Sequence, residues 1–447
     1  MGRRLARASQ TSTLDQLATR LKAKTARLGV IGLGYVGLPL AVEFAREGFS
    51  VLGIDLDPRR VNGVNRGRSY IPDVPSDDLR QLARAKRLRA TSSPSELGAL
   101  DAIIMCVPTP LRKTREPDIS FILAAGQDIA KTLRRGQLIV LESTTYPGTT
   151  DEAILPMLEA QGFRVGRDFA LAFSPERIDP GNTRYTTRTI PKVVGGVTPR
   201  CRRLAALLYG QIIRTVIPVS STKVAEMVKL LENTFRAVNI GLVNEIALMC
   251  DKLGLDVWEV IEAAKTKPFG FMPFYPGPGI GGHCIPSDPM YLAWKARAHG
   301  FEARFIELAD QVNRYMPHYV VDKIARALNT RKKALNGARI LLIGLAYKKD
   351  VNDTRDSPAF DVAQDLCDHG ARVAYHDPYV ATAPLKGVTT RSTPLTPGQL
   401  ARCDAVVILT DHANVDYGLI LRRASLIVDT RNHYRGQAGR LARVVRL

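Results

Sequence analysis

The chain has 447 residues, of which 45% are hydrophobic and 24% are charged. This balance is typical of folded globular proteins and excludes wholesale disorder, and the length favours two or three domains. Six cysteines without a CxxC spacing exclude a disulfide framework and indicate neither a zinc ribbon nor a thioredoxin-type motif. We therefore expect a reducing compartment and no bound metal.

Basic residues outnumber acidic ones by 63 to 43, and half of this excess lies at the two ends of the chain. The remainder forms no basic block, so we expect no nucleic-acid partner. No apolar run reaches the roughly 18 residues that span a bilayer, and no apolar signal region follows the first arginines. These features predict a cytoplasmic protein with no membrane partner. Residues 1–26 are interpreted as a basic N-terminal extension, helical from residue 12, with an organellar transit peptide as the alternative.

Short apolar runs alternate with helical patterns from Ala26 onward, which is typical of strands covered on both faces of a parallel sheet. The runs are RLGVIGL, SVLGID, DAIIMCV, QLIVLES, FALAFS and KVVGG. We predict a doubly wound α/β domain over residues 27–215.

A long helix and a long loop follow this first domain. Apolar residues recur at three- and four-residue steps between Ser221 and Cys250, which predicts a long buried helix. Residues 267–289 are rich in Pro and Gly and predict an irregular loop of functional length. Helical patterning returns over residues 290–328, so we predict a helical region over residues 216–330. The runs ARILLIGLA, ARVAYHDP, DAVVILT and SLIVDTR predict a second α/β domain over residues 331–447.

The first strand leads into Gly32, Gly34 and Gly37, and the second strand ends at Asp55. Glycines in a GxGxxG pattern let backbone N–H groups approach a pyrophosphate, and the acid accepts a hydrogen bond from a ribose 2′-OH. Strand, glycines, helix and acid in this order predict a dinucleotide site. The acid favours NAD over NADP, although two arginines follow nearby. Glycines that only pack the helix on the strand would leave Asp55 unexplained.

Lys229 and Asn233 are four residues apart on the predicted helix, so both side chains project from one face. An ammonium beside an amide is a donor pair suited to an oxygen that gains negative charge. The spacing leaves open that Lys229 instead extends to solvent along an apolar surface.

Cys284 differs from the other five cysteines because it lies in the glycine-rich loop, after Gly281 and Gly282 and four residues before Asp288. An exposed thiolate can attack an aldehyde to give a thiohemiacetal, which can lose hydride to become a thioester. His283 could activate this thiol or hydrogen-bond the loop, and sequence spacing does not separate the two.

Six segments together resemble the UDP-glucose/GDP-mannose dehydrogenase family, in the same order over nearly the whole chain. They are VIGLGYVGLPLA, ESTTYPGTT, SPERIDPGN, AEMVKLLENTFR, GPGIGGHCIPSDP and GLAYKKDVNDTRDSP. The resemblance implies an NAD-dependent nucleotide-sugar 6-dehydrogenase that oxidises the C6 alcohol to the carboxylate without releasing the aldehyde. It also implies two Rossmann-like doubly wound parallel-sheet domains, joined by a long central helix and helical connector, and a homodimer formed through that helix.

The resemblance assigns roles by position. Cys284 matches the nucleophile, Asp288 the aspartate that handles water and protons, and Lys229 and Asn233 the pair that steadies the oxyanion. Thr144 matches a residue that orders water. The remaining catalytic position is the acid of thioester hydrolysis, matched by Glu176. Implied NAD contacts are Gly32, Gly34, Tyr35, Val36, Gly37, Asp55, Arg60, Thr109, Thr144 and Arg355. Implied UDP-sugar contacts are Glu176, Arg177, Lys229, Asn233, Lys267, Gly281, Lys348 and Arg431.

Two positions depart from the UDP-glucose members of the family. Pro180 stands where they carry a second Glu, and TKPFGF stands where they carry an Arg from the neighbouring subunit, which leaves Lys267 as a substitute. The SPERIDPG and GGHCIPSDP forms resemble the N-acetylhexosamine branch, and KPFGFMPFYPGPGIGGHCIP is similar to the UDP-N-acetylglucosamine 6-dehydrogenases of bacterial polysaccharide pathways.

The resemblance thus favours UDP-N-acetylglucosamine as the substrate, with UDP-N-acetylmannosamine and UDP-glucose as alternatives. A two-electron β-hydroxyacid dehydrogenase is a more distant alternative, but it needs neither Cys284 nor a second α/β domain. A catalytically silent NAD-binding protein would not need the set from Thr144 to Asp288. The second α/β domain lacks GxGxxG, so we expect it to hold the UDP portion. Arg431 is its candidate phosphate contact, unless this arginine is only a surface ion-pair partner.

Overall fold

The computed structural model describes residues 12–71, 73–112, 114–177, 185–282, 284–385, 387–436 and 443–447. The chain divides into two compact units, Met1–Glu232 and Asn233–Leu447. The division into four segments made from the sequence remains a prediction.

The first unit contains an eight-stranded sheet. Its strands are β1 (Arg27–Ile31), β2 (Ser50–Ile54), β3 (Leu88–Thr91), β4 (Ala102–Met105), β5 (Leu138–Leu141), β6 (Ala170–Phe173), β7 (Lys192–Gly196) and β8 (Val216–Pro218). The strand order is β3-β2-β1-β4-β5-β6-β7-β8. The described pairings are parallel except that of β6 with β7. The parallel sheet is confirmed, whereas β3, β8 and the antiparallel turn into β7 were not predicted.

Helices cover both faces of this sheet. They are α1 (Thr13–Lys22), α2 (Gly37–Arg46), α3 (Pro58–Asn65), α4 (Ser76–Arg84), α5 (Ser120–Thr132), α6 (Leu155–Glu159) and α7 (Pro199–Tyr209), with a 3₁₀ turn at Pro94–Ala99 and a π-helical turn at Thr150–Ile154. Alternate strand residues point to opposite faces, so Ile104 and Val140 join one apolar cluster while Ile103 and Ile139 join the other.

Helix α1 lies within the predicted N-terminal extension. The Ser12 side chain caps it by accepting a hydrogen bond from the N–H of Asp15. Its leucines at positions 14, 17 and 21 are fully buried in the core of the first unit. This segment therefore contributes to core packing, and residues 1–11 of the predicted extension lie outside the described residues.

Helix α8 (Thr222–Leu253) is 32 residues long and continues through the boundary between the two units. The predicted long helix is confirmed, but the prediction that its apolar positions are buried holds only in part within one chain, because Val228 packs against the core whereas most of the others are exposed. The helix buries a different face, which carries Ala225, Glu226, Lys229 and Leu230. Its exposed apolar residues are Val224, Met227, Leu231, Phe235, Leu242, Met249 and Leu253.

The second unit begins with helices and ends with a second parallel sheet. Its helices are α9 (Val257–Ala264), α10 (Asp288–Ala298), α11 (Arg304–Asn329), α12 (Pro358–Asp368), α13 (Pro397–Arg402) and α14 (Tyr417–Arg423). Its strands are β9 (Arg339–Ile343), β10 (Arg372–His376), β11 (Thr382–Leu385), β12 (Val388–Arg391), β13 (Ala405–Ile408), β14 (Leu426–Asp429) and β15 (Arg443–Arg446). The sheet order is β10-β9-β13-β14-β15, and β11 and β12 form an antiparallel hairpin.

The described residues between 267 and 287 form neither helix nor strand, as predicted, whereas residues 288 and 289 of the predicted loop begin α10. Across the described parts of the chain, we find no helix that combines the length and the apolar character needed to cross a membrane.

Candidate active site

The three glycines after β1 differ in whether the surrounding structure leaves space for a side chain. Gly32 has a φ of +89°, and a Cβ there would lie 2.4 Å from the carbonyl oxygen of Cys106. A Cβ at Gly37 would lie 1.8 Å from the carbonyl oxygen of Gly32. At Gly34, by contrast, a Cβ would meet no atom of the protein within 4 Å. Packing therefore requires Gly32 and Gly37, whereas Gly34 leaves an open surface, and a pyrophosphate contact there stays a prediction.

Asp55 follows β2 directly and is 8% exposed. Its carboxylate accepts hydrogen bonds from the N–H of Leu33 and the N–H of Asp57, each at 2.8 Å. The guanidinium of Arg60 lies 3.2 Å from the same carboxylate. These contacts fix the acid beside the glycine loop, where the ribose of a dinucleotide would lie.

The other predicted NAD contacts of the first unit follow parallel strands and therefore share the carboxyl edge of the sheet. Tyr35 is exposed and Val36 is half-buried before α2, Thr109 is buried after β4, and Thr144 is half-buried after β5. Arg355 belongs to the second unit, where its guanidinium donates to Asp353. Its role at NAD stays a prediction.

Glu176 lies just beyond β6, and its carboxylate is 3.4 Å from the ammonium of Lys229 on α8. Less than a tenth of either side chain is exposed. The alternative in which Lys229 extends to solvent is therefore wrong. A buried ammonium requires a compensating partner, and Glu176 supplies one.

Arg177 points to a different partner, because its guanidinium pairs with Glu232 on α8 and donates to the carbonyl oxygen of Pro191 at 2.7 Å. A substrate contact by Arg177 stays a prediction. The seven residues after it, including Pro180, lie outside the described residues.

Cys284, Asp288 and Asn233 come together in the second unit. The carbonyl oxygen of half-buried Cys284 accepts a hydrogen bond of 2.8 Å from the N–H of Asp288, at the start of α10. The side-chain amide of Asn233 donates to the buried carboxylate of Asp288 at 2.5 Å. One turn of chain thus places the thiol-bearing residue beside an acid that Asn233 orients. His283, between Cys284 and the glycines, lies outside the described residues.

Gly281 and Gly282 serve packing within the second unit. A Cβ at Gly281 would lie 2.7 Å from the Cβ of Tyr347, and one at Gly282 would lie 2.8 Å from the ring of the same tyrosine. The N–H of Gly282 also donates to the carbonyl oxygen of Arg355. The loop of Cys284 is therefore held against the segment after β9. Sequence reasoning missed Tyr347, because only the folded chain brings it to the glycines.

Two cations lie at the carboxyl edge of the second sheet. Half-buried Lys348 follows β9, and half-buried Arg431 follows β14 and donates to the carbonyl oxygen of Leu409 at 2.7 Å. Burial lowers the pKa of Arg431. This inward hydrogen bond differs from the predicted alternative, in which Arg431 is only a surface ion-pair partner. A phosphate contact by Arg431 stays a prediction. Lys267 is exposed, with its ammonium 5.1 Å from the ring centre of Phe269.

The second sheet also carries an acid after its edge strand β10, but this acid is closed off. The carboxylate of Asp377 is fully buried and accepts hydrogen bonds from the N–H groups of Leu345 and Ala346 and from His412. Burial alone would raise the pKa of Asp377, but the hydrogen bonds outweigh it and lower this pKa to about 2. An acid with these partners has little capacity left for a ribose hydroxyl.

Glu226 on α8 was also missed by sequence reasoning. Its fully buried carboxylate accepts hydrogen bonds from the N–H groups of Gly148 and Thr150 and from the Thr150 hydroxyl, at 2.6 to 2.9 Å. It thereby anchors the segment that follows Thr144. The only sequence signal is an acid next to apolar positions of a helical pattern.

Comparisons with known proteins agree with this geometry. The NAD binding domain of the UDP-glucose/GDP-mannose dehydrogenase family matches residues 26–213, its central domain residues 223–315 and its UDP binding domain residues 341–436. The chain belongs to the UDP-glucose/GDP-mannose dehydrogenase family. This dehydrogenase is accordingly an oxidoreductase that uses NAD, as predicted, and the UDP binding domain makes a nucleotide sugar its substrate class.

The relatives of the dehydrogenase differ in the sugar that their names give. It is 38% identical over 80% of its length to a UDP-N-acetyl-D-glucosamine 6-dehydrogenase of Pseudomonas aeruginosa, of which it covers 84%. It is 36% identical over 86% of its length to an NDP-N-acetyl-D-galactosaminuronic acid dehydrogenase of Ralstonia nicotianae, of which it covers 90%. The structure of a UDP-D-ManNAc dehydrogenase from Pyrococcus horikoshii is similar over 94% of this chain and 99% of that one, with a TM-score of 0.85 at 34% identity.

Proposed function

We propose that the protein oxidises the C6 hydroxyl of UDP-N-acetylglucosamine to the uronic acid in two NAD-dependent steps, through a thiohemiacetal and a thioester on Cys284. The observation that carries this proposal is the turn that joins Cys284 to Asp288, with Asn233 bonded to the same acid. A rival two-electron alcohol dehydrogenase would not require a thiol at this position.

The glycine loop and Asp55 would hold NAD, which would supply the hydride acceptor for the first oxidation and, after exchange for a second NAD, for the second. In the first oxidation, the hydroxyl proton passes through a water, ordered by Thr144, to the Asp288 carboxylate, and the product is an aldehyde. The Cys284 thiol then adds to the aldehyde carbon, which forms a C–S bond and a thiohemiacetal. Loss of a second hydride and a proton converts this adduct to the thioester.

The polar groups of α8 stabilise the negative charge that develops on the substrate oxygen in these steps. Lys229 and Asn233 lie one helical turn apart and supply the donors for the oxyanion of the tetrahedral adducts. Water, activated by Asp288 or Glu176, attacks the thioester carbon and breaks the C–S bond, which releases the carboxylate and restores the thiol. Since Lys229 pairs with Glu176, the oxyanion donor and the acid of hydrolysis hold each other in place.

The choice of UDP-N-acetylglucosamine rests on the loop sequence and on the name of the Pseudomonas relative. Other relatives are named for N-acetyl-D-galactosaminuronic acid and N-acetyl-D-mannosamine, so the corresponding UDP sugars are the competing substrates. Steady-state kcat/KM should be measured with the UDP derivatives of N-acetylglucosamine, N-acetylmannosamine, N-acetylgalactosamine and glucose. We expect the highest value for UDP-N-acetylglucosamine, and a clear preference for any of the others rejects the assignment.

The exposed apolar residues of α8 support a homodimer in which a second copy covers this helix. Leu231 and Phe235 are 57% and 47% exposed on one stripe, and apolar stripes of this kind mark association surfaces. We also place the enzyme in the cytoplasm. None of its six cysteines, all within the described residues, forms a disulfide, as in a reducing compartment.

A further inference from the structure

A buried charged cluster lies behind Glu176 in the first unit, and the reaction steps above do not use it. It consists of Glu142 after β5, Lys192 at the start of β7 and Tyr209 at the end of α7. The exposed fractions of these three residues are 2%, 7% and 0%. We refer to them as the Lys192 cluster.

The contacts within the Lys192 cluster all converge on the lysine and its acid. The Lys192 ammonium pairs with the Glu142 carboxylate, and the Tyr209 hydroxyl donates to the same carboxylate. The ammonium also lies 5.1 Å from the centre of the Tyr209 ring. A further hydrogen bond of 3.1 Å runs from the ammonium to the carbonyl oxygen of Pro175, the residue before Glu176.

The topology of the sheet explains why the Lys192 ammonium lies near the carboxyl end of β6. Strand β7 runs antiparallel to β6, with Phe173 opposite Gly195, so the first residue of β7 lies beyond the carboxyl end of β6. The chain leaves β6 there through Ser174 and Pro175 toward Glu176. Lys192 is therefore placed beside the exit of the strand that delivers Glu176.

The Lys192 cluster also connects two segments with predicted catalytic residues. Glu142 lies two residues before Thr144, and the N–H of Ser174 donates to the carbonyl oxygen of Leu141. The ends of β5 and β6 are thus connected by a backbone hydrogen bond and also by Lys192, which contacts both Glu142 and Pro175. Desolvating an ammonium and a carboxylate is expensive, and apolar side chains of similar volume are often equally stable. Fold stability alone therefore gives little reason for this pair.

We propose that Lys192 is a positioning residue for thioester hydrolysis: it holds the Pro175 carbonyl, and so the direction in which Glu176 leaves β6, while Glu142 holds Lys192. The inference rests on the proposed role of Glu176. Without this contact the Glu176 carboxylate is no longer fixed against Lys229, whereas the glycine loop and Asp55 keep their contacts. Hydrolysis is then slowed, and NAD binding is unchanged.

The test uses the double variant Glu142→Gln/Lys192→Met in the full-length protein. Lys192→Met alone would leave a buried carboxylate without its cation and endanger folding. In the double variant, the introduced glutamine still accepts from Tyr209, and the introduced methionine fills the volume of the lysine stem. A mild companion is Lys192→Arg, which keeps a cationic donor. Glu176→Gln serves as the reference for slow hydrolysis, and Cys284→Ser serves as the control without an acceptor thiol.

Each protein is mixed with NAD and UDP-N-acetylglucosamine, quenched in acid and analysed by intact-protein mass, alongside steady-state kinetics. We expect the double variant and Glu176→Gln to accumulate an acyl adduct on the chain that wild type does not accumulate. For the double variant, kcat should fall by roughly 10- to 100-fold with KM for NAD within about twofold, as for a misplaced catalytic group. Lys192→Arg should recover most of the lost kcat.

The outcomes separate the two proposals. A folded double variant that hydrolyses like wild type, while Glu176→Gln accumulates the adduct, overturns the role of Lys192 alone. The role of Lys192 is also overturned if the double variant shows no adduct and its KM for NAD rises instead. Wild-type turnover by Cys284→Ser overturns the proposed function itself.

Discussion

The glycine loop offers a substitution that separates cofactor binding from folding. Gly34→Ala adds a methyl group at a position where the protein has no atom within 4 Å and where φ is not in the left-handed region. The unbound protein should therefore tolerate it. In the complex, the methyl group occupies the space over the loop that a pyrophosphate needs.

Forcing a methyl group into a packed contact typically costs about 1–3 kcal/mol. At about 1.4 kcal/mol per factor of ten, this predicts a Kd for NAD that is about 5- to 150-fold higher. The matched control is Gly37→Ala, whose Cβ would lie 1.8 Å from the carbonyl oxygen of Gly32. That variant should lose stability as well as NAD binding.

Isothermal titration with NAD and thermal unfolding without NAD measure the two effects. For Gly34→Ala we expect weaker NAD binding at an unchanged Tm, and for Gly37→Ala a lowered Tm. An unchanged Kd in Gly34→Ala refutes the assignment of the open surface to the pyrophosphate. A fall in Tm as large as that of Gly37→Ala refutes the interpretation of the packing.

Three further substitutions test other parts of the structure. The pKa of Asp377 is lowered from 3.8 to about 2, so its carboxylate stabilises the fold by about 2 kcal/mol above pH 3.8, and this contribution is lost as the pH falls through 2. In urea unfolding, the free energy of unfolding of Asp377→Asn should lie below that of wild type by an amount that shrinks in this pH window. A difference that does not depend on pH contradicts this expectation. Glu226→Ala leaves two N–H groups and a hydroxyl buried without an acceptor, which costs roughly 3 kcal/mol or more; a Tm equal to that of the exposed α8 control Lys223→Ala contradicts the anchoring role. Leu231→Arg places a charge on the exposed stripe of α8, so light scattering should show a monomer and Tm should fall with the lost subunit contacts, whereas an intact dimer argues against this interface.

The elements with the strongest local signals could be predicted from the sequence. Continuous apolar runs identified the buried parallel strands because both faces of the sheet are covered by helices. The glycine pattern and Asp55 predicted a dinucleotide site because tight turns and backbone approach restrict the residue type, and they lie within the residues that match the NAD binding domain. The loop before α10 followed from its Pro and Gly content. Strands β3 and β8 have four and three residues and carry no comparable run.

The remaining features depend on contacts between distant segments. Periodicity showed that α8 is a helix but not which face a single chain buries, because Glu226 and Lys229 are buried through partners far away in sequence. The antiparallel direction of β7, which brings Lys192 toward Pro175, has no local signature. Tyr347 likewise meets Gly281 and Gly282 only after folding.

We propose that the protein oxidises the sugar carbon twice, and the ratio of NADH formed to UDP-N-acetylglucosamine consumed measures this four-electron stoichiometry. The absorbance of NADH at completion, with the sugar quantified in the same sample, gives this ratio for wild type. We predict two NADH per sugar, with the uronic acid as the product. A ratio of one, with an aldehyde or another two-electron product, is the result of a two-electron dehydrogenase and would refute the proposed four-electron reaction.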